Sequence, residues 1–371
     1  MDSALPFEPF DPRRLDAPFG EQFRRSRRVD ALLGESNLGD PERRAEVSRE
    51  LLLLGTGALP HLRAASQKLP EPNAGLAREI VKLLVPDETG TELYDCLNEG
   101  LLQFPAERAA ALLARLAYPD LTVESVLTQI EALAQSARTA LPDPLRAALE
   151  SKPDEDQTVK ALLAIGEFWR TQGFKGDAEN FYDPKNSWLP DVLERRRGLP
   201  IAMAVLYVAL CKRLGLRAEG VGLPYHFIAR VEVPTRDGTG YLYVDPFNGA
   251  RPLDLDDCKR LVEAGGQTFE PAEHLKPATT RDILVRMCNN LLGTYDQLKR
   301  TLEAEHVATV LKHLSPDSPI PILLRAERRL KRGAHREARA DLQAALAMDQ
   351  EGPAGRAAES LLRQLDYEFP G

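Results

Sequence analysis

Few residues of this protein bear a thiol or an imidazole group. It contains four cysteines and six histidines among 371 residues. The cysteines form no CxxC pair and have no histidine at metal-ligand spacing. The sequence therefore predicts reduced thiols and no metal site, and it indicates no cofactor. The four cysteines, which are far apart in the sequence, are Cys96, Cys211, Cys258 and Cys288.

His226 and Asp245 are the clearest candidates for a shared chemical role. His226 begins the β-rich run HFIARVEV, Asp245 lies in the run YLYVDPF, and the intervening TRDGTG carries an Asp-Gly hairpin signal. The hairpin predicts adjacent strands on which the two side chains face each other. In the first run, Phe227 starts an alternation that predicts a core face, whereas His226, Ile228 and Arg230 share a mostly polar face.

A nearly all-apolar helix precedes these strands. It lies within RRRGLPIAMAVLYVALCKRLGL, and residues 201–214 are apolar around the whole circumference, which predicts burial on nearly every side. Gly198, Leu199 and Pro200 form the turn that enters it. Proline suits the first helical position because its missing N–H costs nothing there and its φ is already helical.

The order of turn, apolar helix, strand with His226, hairpin and strand with Asp245 resembles the transglutaminase-like superfamily. The catalytic members of that superfamily have a cysteine at a helix N-terminus, a histidine on one strand and an aspartate on the next. The helix start lowers the pKa of the thiol, the imidazole moves the proton, and the carboxylate fixes the imidazole tautomer. The RRRGLP, LPYHF and VDPFNG steps together resemble its SirB-type branch of bacterial proteins, over about residues 105–315.

Pro200 stands where the resemblance assigns the nucleophilic cysteine. Catalytic members start the helix with a Gly-x-Cys step, and matching Gly198 to that glycine puts Pro200 on the cysteine. Because proline has no nucleophilic group, we expect His226 and Asp245 to be a remnant dyad. Cys211 lies further along the same helix, roughly 16 Å from its start, and is expected in the core.

Two further residues are candidates for a displaced nucleophile. Cys258 follows the Asp245 strand at the helix start DLDDCKR, and the sequence does not determine its distance from His226. Ser187 precedes LPDVLERRR and is interpreted as a helix cap. His226 and Asp245 themselves could form a structural hydrogen-bond pair, a ligand pocket, or a base for chemistry that uses water.

Several polar and aromatic residues are expected to line the same cleft as the dyad. Arg195 and Arg197 precede the start of the apolar helix, where a bound anion or a solvated charge run would each account for them. The candidate binding residues are Asn186, Arg195, Arg197, Tyr225, Phe247 and Asn248.

Apolar periodicity divides the sequence into four segments. Residues 1–28 contain several prolines and no sustained period, which predicts an extended arm. Residues 29–141 have apolar residues at helical spacing with a glycine break, which resembles a HEAT-type helix pair. Residues 142–275 form the mixed core, and residues 276–371 are helical again.

These segments predict an α+β fold. Its core is papain/transglutaminase-like, an apolar helix packed on an antiparallel sheet, and helical repeat-like segments flank it. The last helices resemble a tetratricopeptide pair. Its small and apolar packing positions are Gly333, Ala338, Leu342 and Ala345.

Composition limits the possible partners. Apolar residues make up 43% and charged residues 28% of the protein, which is typical of a soluble globular protein. A net charge of -8 argues against general attraction to nucleic acid or to anionic membranes. The longest apolar stretch is too short to span a bilayer, and the N-terminus has no secretory pattern, so we expect a cytoplasmic protein.

The sequence favours a transglutaminase-like protein that lacks the catalytic cysteine and acts as a protein-binding or scaffold module. Solenoid-type flanking helices offer an extended surface for a protein partner. The alternative is a hydrolase or amide-processing enzyme that uses His226 and Asp245 with water or with Cys258. A regulatory module with an indirect effect on expression is a third hypothesis. Neither the partner nor an oligomeric state follows from the sequence.

Overall fold

A computed structural model describes residues 17–34, 38–99 and 104–368, with side chains from residue 21 onward. The protein divides into two compact units, residues 1–88 and residues 89–371. No helix of the described residues is both long enough and apolar enough to cross a membrane.

The first unit is helical. Its core is built from apolar residues such as Leu32, Leu51, Leu62 and Ile80, all buried. Gly55, at a φ of 66°, separates the second helix from the third, as the glycine break predicted. The helices are α1 (Ala17–Leu33), α2 (Pro41–Leu53), α3 (Leu59–Lys68) and α4 (Asn73–Asn98), and the boundary between the two units falls inside α4.

The predicted extended arm over residues 1–28 is wrong from Ala17 onward, where α1 begins. The arginine-rich stretch of this segment lies inside the helix, where Arg25 pairs with Glu21 one turn earlier at 2.5 Å. Val29 and Leu33 at its end are buried, so packing of the last turns supports the helix where the local sequence has no period. Residues 1–16 of the predicted arm lie outside the described residues.

The second unit contains the mixed core together with the helices before it. The predicted 29–141 segment is therefore divided, because α5 and α6 pack against the core helix α10 (Pro200–Arg213) in the second unit. The helices that precede α10 are α5 (Ala106–Leu113), α6 (Val123–Ala140), α7 (Asp143–Ser151), α8 (Glu155–Thr171) and α9 (Leu189–Arg195).

The α10 helix is enclosed. Every residue from Pro200 to Cys211 is buried, which confirms the prediction from its apolar circumference. It packs against α5, α6, α9 and α13 (Thr280–Gln297) as well as the sheet. A short parallel pair, β1 (Lys175–Gly176) and β2 (Arg197–Gly198), precedes its start.

The main sheet has four antiparallel strands in sequence order. They are β3 (Ala218–Leu223), β4 (His226–Thr235), β5 (Gly238–Asp245) and β6 (Arg251–Leu253). One face, which includes Phe227 and Val231, packs into the same core as α10. The antiparallel sheet and its apolar helix confirm the predicted α+β fold class.

The opposite sheet face is less polar than the alternation predicted. Ile228 is fully buried there with Val221, Cys258 and Val262. Two helices cover this face, α11 (Leu255–Ala264) and the short α12 (Pro271–His274). The sequence of β4 alone could not reveal them, because the covering residues come later in the sequence.

Consecutive helices complete the second unit. After α13 come α14 (Thr301–Leu314), α15 (Ile320–Lys331), α16 (His335–Met348) and α17 (Pro353–Glu368), and each packs on the next. Gly333, at a φ of 77°, turns the backbone between α15 and α16. Ala338, Leu342 and Ala345 are buried, as expected for the helix-packing positions.

Leu206→Ala tests the packing around α10. Leu206 is fully buried, so the substitution should cost about 2–5 kcal/mol of unfolding free energy through lost burial and a residual cavity. Leu163→Ala is the matched control, since Leu163 lies on α8 and is 51% exposed. Urea denaturation of both variants measures the difference, and equal losses would contradict an enclosed α10.

Candidate functional site

His226 and Asp245 form a hydrogen-bonded pair at one end of the sheet. His226 is the first residue of β4, and Asp245 is the last residue of β5, the neighbouring strand. The Nε2 atom of His226 lies 2.9 Å from Oδ2 of Asp245. The prediction of facing side chains on adjacent strands is confirmed.

The Asp245 carboxylate receives further donors from the turn that follows it. The backbone amides of Phe247 and Asn248 donate to Oδ1 at 3.1 and 3.2 Å, and the Asn248 side-chain amide donates to Oδ2 at 2.7 Å. Burial raises the pKa of Asp245, but the hydrogen bond and charge of His226 and the bonds from Asn248 lower it more. The net pKa is below the ordinary value, so the carboxylate is ionised at neutral pH.

One edge of the His226 imidazole remains available. Its Nε2 atom is committed to Asp245, whereas Nδ1 has no hydrogen-bond partner among the described residues. The side chain is 12% exposed, and the Phe247 ring meets it edge-on at 5.9 Å between centroids. The geometry is that of an imidazole oriented by a carboxylate, with one nitrogen left to receive or give a proton.

A series of contacts links Phe247, beside the dyad, to the strand pair before α10. The Gly176 amide donates to the Phe247 carbonyl at 2.8 Å, and Gly176 pairs with Gly198 just before the helix. A Cβ atom on Gly176 would come within 2.3 Å of the Phe247 ring, so a glycine is required for the ring to lie there. The Phe247 ring therefore packs between the imidazole and Gly176 of β1, the strand that pairs with β2 before α10.

Pro200 is the first residue of α10, and it is buried. Leu199 before it has an extended conformation and caps the helix without a side-chain hydrogen bond. Proline lacks the N–H that would be unsatisfied at this position, so it fits the helix start on structural grounds alone. It brings no nucleophilic atom to the site.

None of the four cysteines has the character of an activated thiolate. Burial raises the pKa of Cys211 and of Cys288 to about 12. Burial followed by the charge of Asp257 raises the pKa of Cys258 to about 11, and burial also raises the pKa of Cys96. All four thiols are protonated at neutral pH, whereas a nucleophilic cysteine needs a lowered pKa.

Cys258 lies on α11 beneath the sheet face that carries the dyad. It is fully buried against Ile228 and Val262, which excludes solvent and substrate from its sulfur. The charge of Asp245 contributes to its raised pKa, so the two groups are neighbours that disfavour a thiolate.

Asn186 and Arg195 belong to a polar cluster inside the loop that leads to α9. Arg195 contacts Asp183 at 3.0 Å, Asp177 at 3.4 Å and the Asn186 side-chain oxygen at 3.4 Å. Asn186 is fully buried and donates to the Asn180 carbonyl at 2.8 Å. These bonds hold the loop together, and the expectation that both residues line the same cleft as the dyad stays a prediction.

Ser187 does not cap α9, so that interpretation is wrong. The residue at the cap position is Trp188, which makes no capping side-chain bond. The Ser187 hydroxyl is buried without a partner among the described residues. The helix therefore begins at Leu189, one residue later than a cap at Ser187 would place it.

The remaining candidates are partly or largely exposed. Arg197 is half-buried in β2, where it pairs with Lys175. Asn248 is exposed and holds Asp245. Tyr225 is 89% exposed and has a φ of 54°, in the two-residue turn that joins β3 to β4.

Arg286 on α13 was not predicted, yet it supports the dyad directly. Its Nη2 atom donates to the Leu223 carbonyl at 2.6 Å and to the His226 carbonyl at 2.9 Å, the two ends of the turn that holds Tyr225. The guanidinium also lies over the Phe227 ring at 5.5 Å. Arg286 is distant in sequence from the residues it contacts, so no local signal could have identified it.

The protein is similar to members of one superfamily. A sequence model of the transglutaminase-like superfamily matches residues 124–289. A UPF0162 protein of Xylella fastidiosa (strain 9a5c) is 33% identical over 243 residues, which cover 64% of this chain and 82% of that protein. The chain belongs to the transglutaminase-like superfamily, with the UPF0162 proteins. This confirms the superfamily that the order of helix, histidine strand and aspartate strand indicated.

Other relatives share smaller parts. A UPF0162 protein of Pseudomonas aeruginosa is 30% identical over 172 residues, 46% of this chain and 60% of that protein. F-box only protein 21 of Mus musculus is 34% identical over 124 residues, 32% of this chain but 19% of that protein. No solved structure matches the sequence.

Asp245→Asn tests the electrostatics of the dyad. The folded-state pKa of Asp245 lies below its ordinary value of 3.8, so its contribution to stability is complete above about pH 4 and is lost as the pH falls through the folded-state pKa. Wild-type protein should exceed the variant in stability at neutral pH, and the gap should narrow on acidification below about pH 4. Urea midpoints across this range measure the gap.

The control for this experiment is Asp237→Asn, in the exposed turn between β4 and β5. It removes a carboxylate from the same hairpin without touching the dyad. A gap between wild type and Asp245→Asn that stays constant from neutral to acidic pH would contradict the assignment.

Proposed function

We propose that this protein is transglutaminase-like without a cysteine nucleophile and that it acts as a protein-binding or scaffold module. The observation that carries the proposal is Pro200 at the first position of α10, in a protein whose His226 and Asp245 form an oriented dyad. Covalent acyl transfer needs a nucleophile within reach of the imidazole, and proline supplies none.

The state of the four thiols supports the same proposal. Each has a raised pKa, and Cys211, Cys258 and Cys288 are fully buried. A displaced cysteine nucleophile would instead need exposure and a nearby positive charge or helix start that lowers its pKa. Free cysteines also agree with a reducing compartment, and we propose the cytoplasm.

In this proposal the His226–Asp245 dyad stabilises one end of the sheet. Asp245 accepts bonds from His226 and from the turn at Phe247 and Asn248, so it ties the start of β4 to the end of β5. A buried carboxylate with this many donors stabilises the sheet end without any catalytic step. The dyad therefore needs no chemistry to account for its geometry.

The helices from α13 to α17 are the part of the protein that we expect to contact a protein partner. Each packs on the next, an arrangement that exposes an extended surface when it is used as a repeat. The similarity to F-box only protein 21 covers 19% of that protein, so a related segment occurs there as one part of a larger polypeptide. This use beside other segments is consistent with a module rather than a stand-alone enzyme.

A second candidate function is hydrolysis by the dyad with water. It is favoured by the uncommitted Nδ1 atom of His226, which an oriented imidazole could use as a general base. Ester or amide hydrolysis that is lost in His226→Ala and unchanged in Cys258→Ser would establish this function in place of the first.

The main proposal predicts no cysteine-dependent activity. Wild-type protein should show no acyl transfer or peptide hydrolysis with amide substrates, and Cys258→Ser should behave identically. Iodoacetamide should label the folded protein slowly at neutral pH, because the thiols are protonated and mostly buried. Turnover that disappears in Cys258→Ser would refute the proposal.

The substitution Pro200→Cys tests whether position 200 corresponds to the nucleophile of the catalytic members. In this proposal the helix start and the imidazole of the dyad lower the pKa of a thiol at this position by more than its burial raises it, so its thiolate should form at lower pH than that of an ordinary cysteine. Pro353→Cys is the matched control, since Pro353 begins α17 without a neighbouring dyad. Ultraviolet titration of the thiolate in both variants measures the difference. Equal pKa values would show that Pro200 is not placed at a nucleophile position.

A further inference from the structure

The guanidinium of Arg286 is a cation with no acidic partner among the described residues. Its Nη2 atom donates only to the carbonyls of Leu223 and His226, and within the described residues no carboxylate pairs with it. Burial lowers its pKa, and no neighbouring charge offsets that effect. A half-buried positive charge is costly without an anion, so this position favours an anionic ligand.

A cleft of about 410 Å³ opens beside this guanidinium. It is bounded by the turn at Pro224 and Tyr225 and by residues that follow α11, including Gln267. Its volume lies within the range of small-ligand sites. The Nη1 atom of Arg286 has no acceptor among the described residues, so the cleft contains an unused donor.

Gly222 leaves room for a group at that donor. An added Cβ at Gly222 would lie 3.1 Å from Nη1 of Arg286 and would crowd it. Gly222 also lines the cleft. The absence of a side chain here keeps the guanidinium accessible from the cleft.

Tyr225 presents an aromatic ring at the mouth of the cleft. The turn has proline followed by a residue of positive φ, a place that glycine or asparagine usually takes. A bulky residue with a φ of 54° is strained, and because 89% of the side chain is exposed, buried contacts do not offset the strain. Gly265, whose added Cβ would lie 2.6 Å from Pro224, lets the end of α11 approach this turn.

We propose that this cleft binds a carboxylate, with Arg286 as the charged partner and Tyr225 as the ring that contacts the rest of the ligand. One guanidinium matches a single negative charge, because the other basic side chain of the cleft, His274, uses both ring nitrogens within the protein. A phosphate dianion would need more positive charge. The site does not depend on whether the dyad catalyses a reaction.

The experiment must distinguish which kind of molecule supplies the carboxylate. A peptide C-terminus, an acidic side chain and a small organic acid all supply the same group. The probes are N-acetyl-Ala-Phe with a free carboxylate, its C-terminal amide, N-acetyl-Asp-Phe-amide, acetate and inorganic phosphate. Ligand-observed NMR with the full-length protein gives a Kd for each probe.

We expect at least one carboxylate probe to bind with a Kd of about 1 mM or below. The C-terminal amide of N-acetyl-Ala-Phe, which is neutral, should bind at least about tenfold more weakly than the free acid. Arg286→Gln should weaken binding at least about tenfold, because the charged hydrogen bond is lost. Arg217→Gln is the matched control: it removes an exposed arginine just before β3, which pairs with Glu232, and should leave the Kd unchanged.

Two further variants keep the test decisive if Arg286→Gln fails to fold. Gly222→Ala retains the charge and both carbonyl bonds but crowds Nη1, and Tyr225→Asn retains the left-handed turn but removes the ring. Both should weaken the carboxylate probe. The proposal is overturned if no carboxylate probe binds up to about 10 mM, if phosphate binds as tightly, or if the folded cleft variants all bind like wild type.

Discussion

Complete burial of α10 is the constraint on which the second unit depends. A helix with apolar side chains around its whole circumference has no face that can lie against water, so other elements must cover every side. The sheet covers one side through Phe227 and Val231, and α5, α6, α9 and α13 cover the others. This requirement explains why helices before and after the mixed core belong to the same compact unit as the sheet.

The same packing fixes where the candidate site lies. Because β4 must present Phe227 to α10, the alternation of the strand turns His226 to the opposite face, and pairing with β5 puts Asp245 within hydrogen-bonding distance. Arg286 lies on α13, which also covers α10, and its guanidinium donates a hydrogen bond to the His226 carbonyl at the end of the turn before β4. Core packing and site geometry are therefore set by the same few elements.

A fold can keep this geometry while its chemistry changes. The helix start, the histidine strand and the aspartate strand all have structural reasons to persist, since each contributes hydrogen bonds or buried surface. The proline at the first position of α10 likewise has a structural reason to be there, since it stabilises the helix start. Membership of a superfamily thus fixes the framework, and the side chains at the site decide what the protein does.

The local sequence determined a large part of this protein. The apolar circumference of α10, the Asp-Gly hairpin and the alternation of β4 were sufficient to predict a buried helix, adjacent strands and a facing pair, because each pattern is complete within one short stretch of sequence. The order of these elements was sufficient to indicate the superfamily. The periodic pattern also placed Ala338 and Leu342 at buried positions of the last helices.

Tertiary structure alone decided the features that depend on residues far apart in the sequence. The covered second face of the sheet, the burial of Cys258 and the role of Arg286 arise from helices that follow the strands they contact. The start of α1 at Ala17, where the sequence predicted an arm, also depends on the burial of its last turn. Local periodicity records which side of an element is apolar, but burial, pKa and hydrogen-bond partners depend on which distant element covers that side.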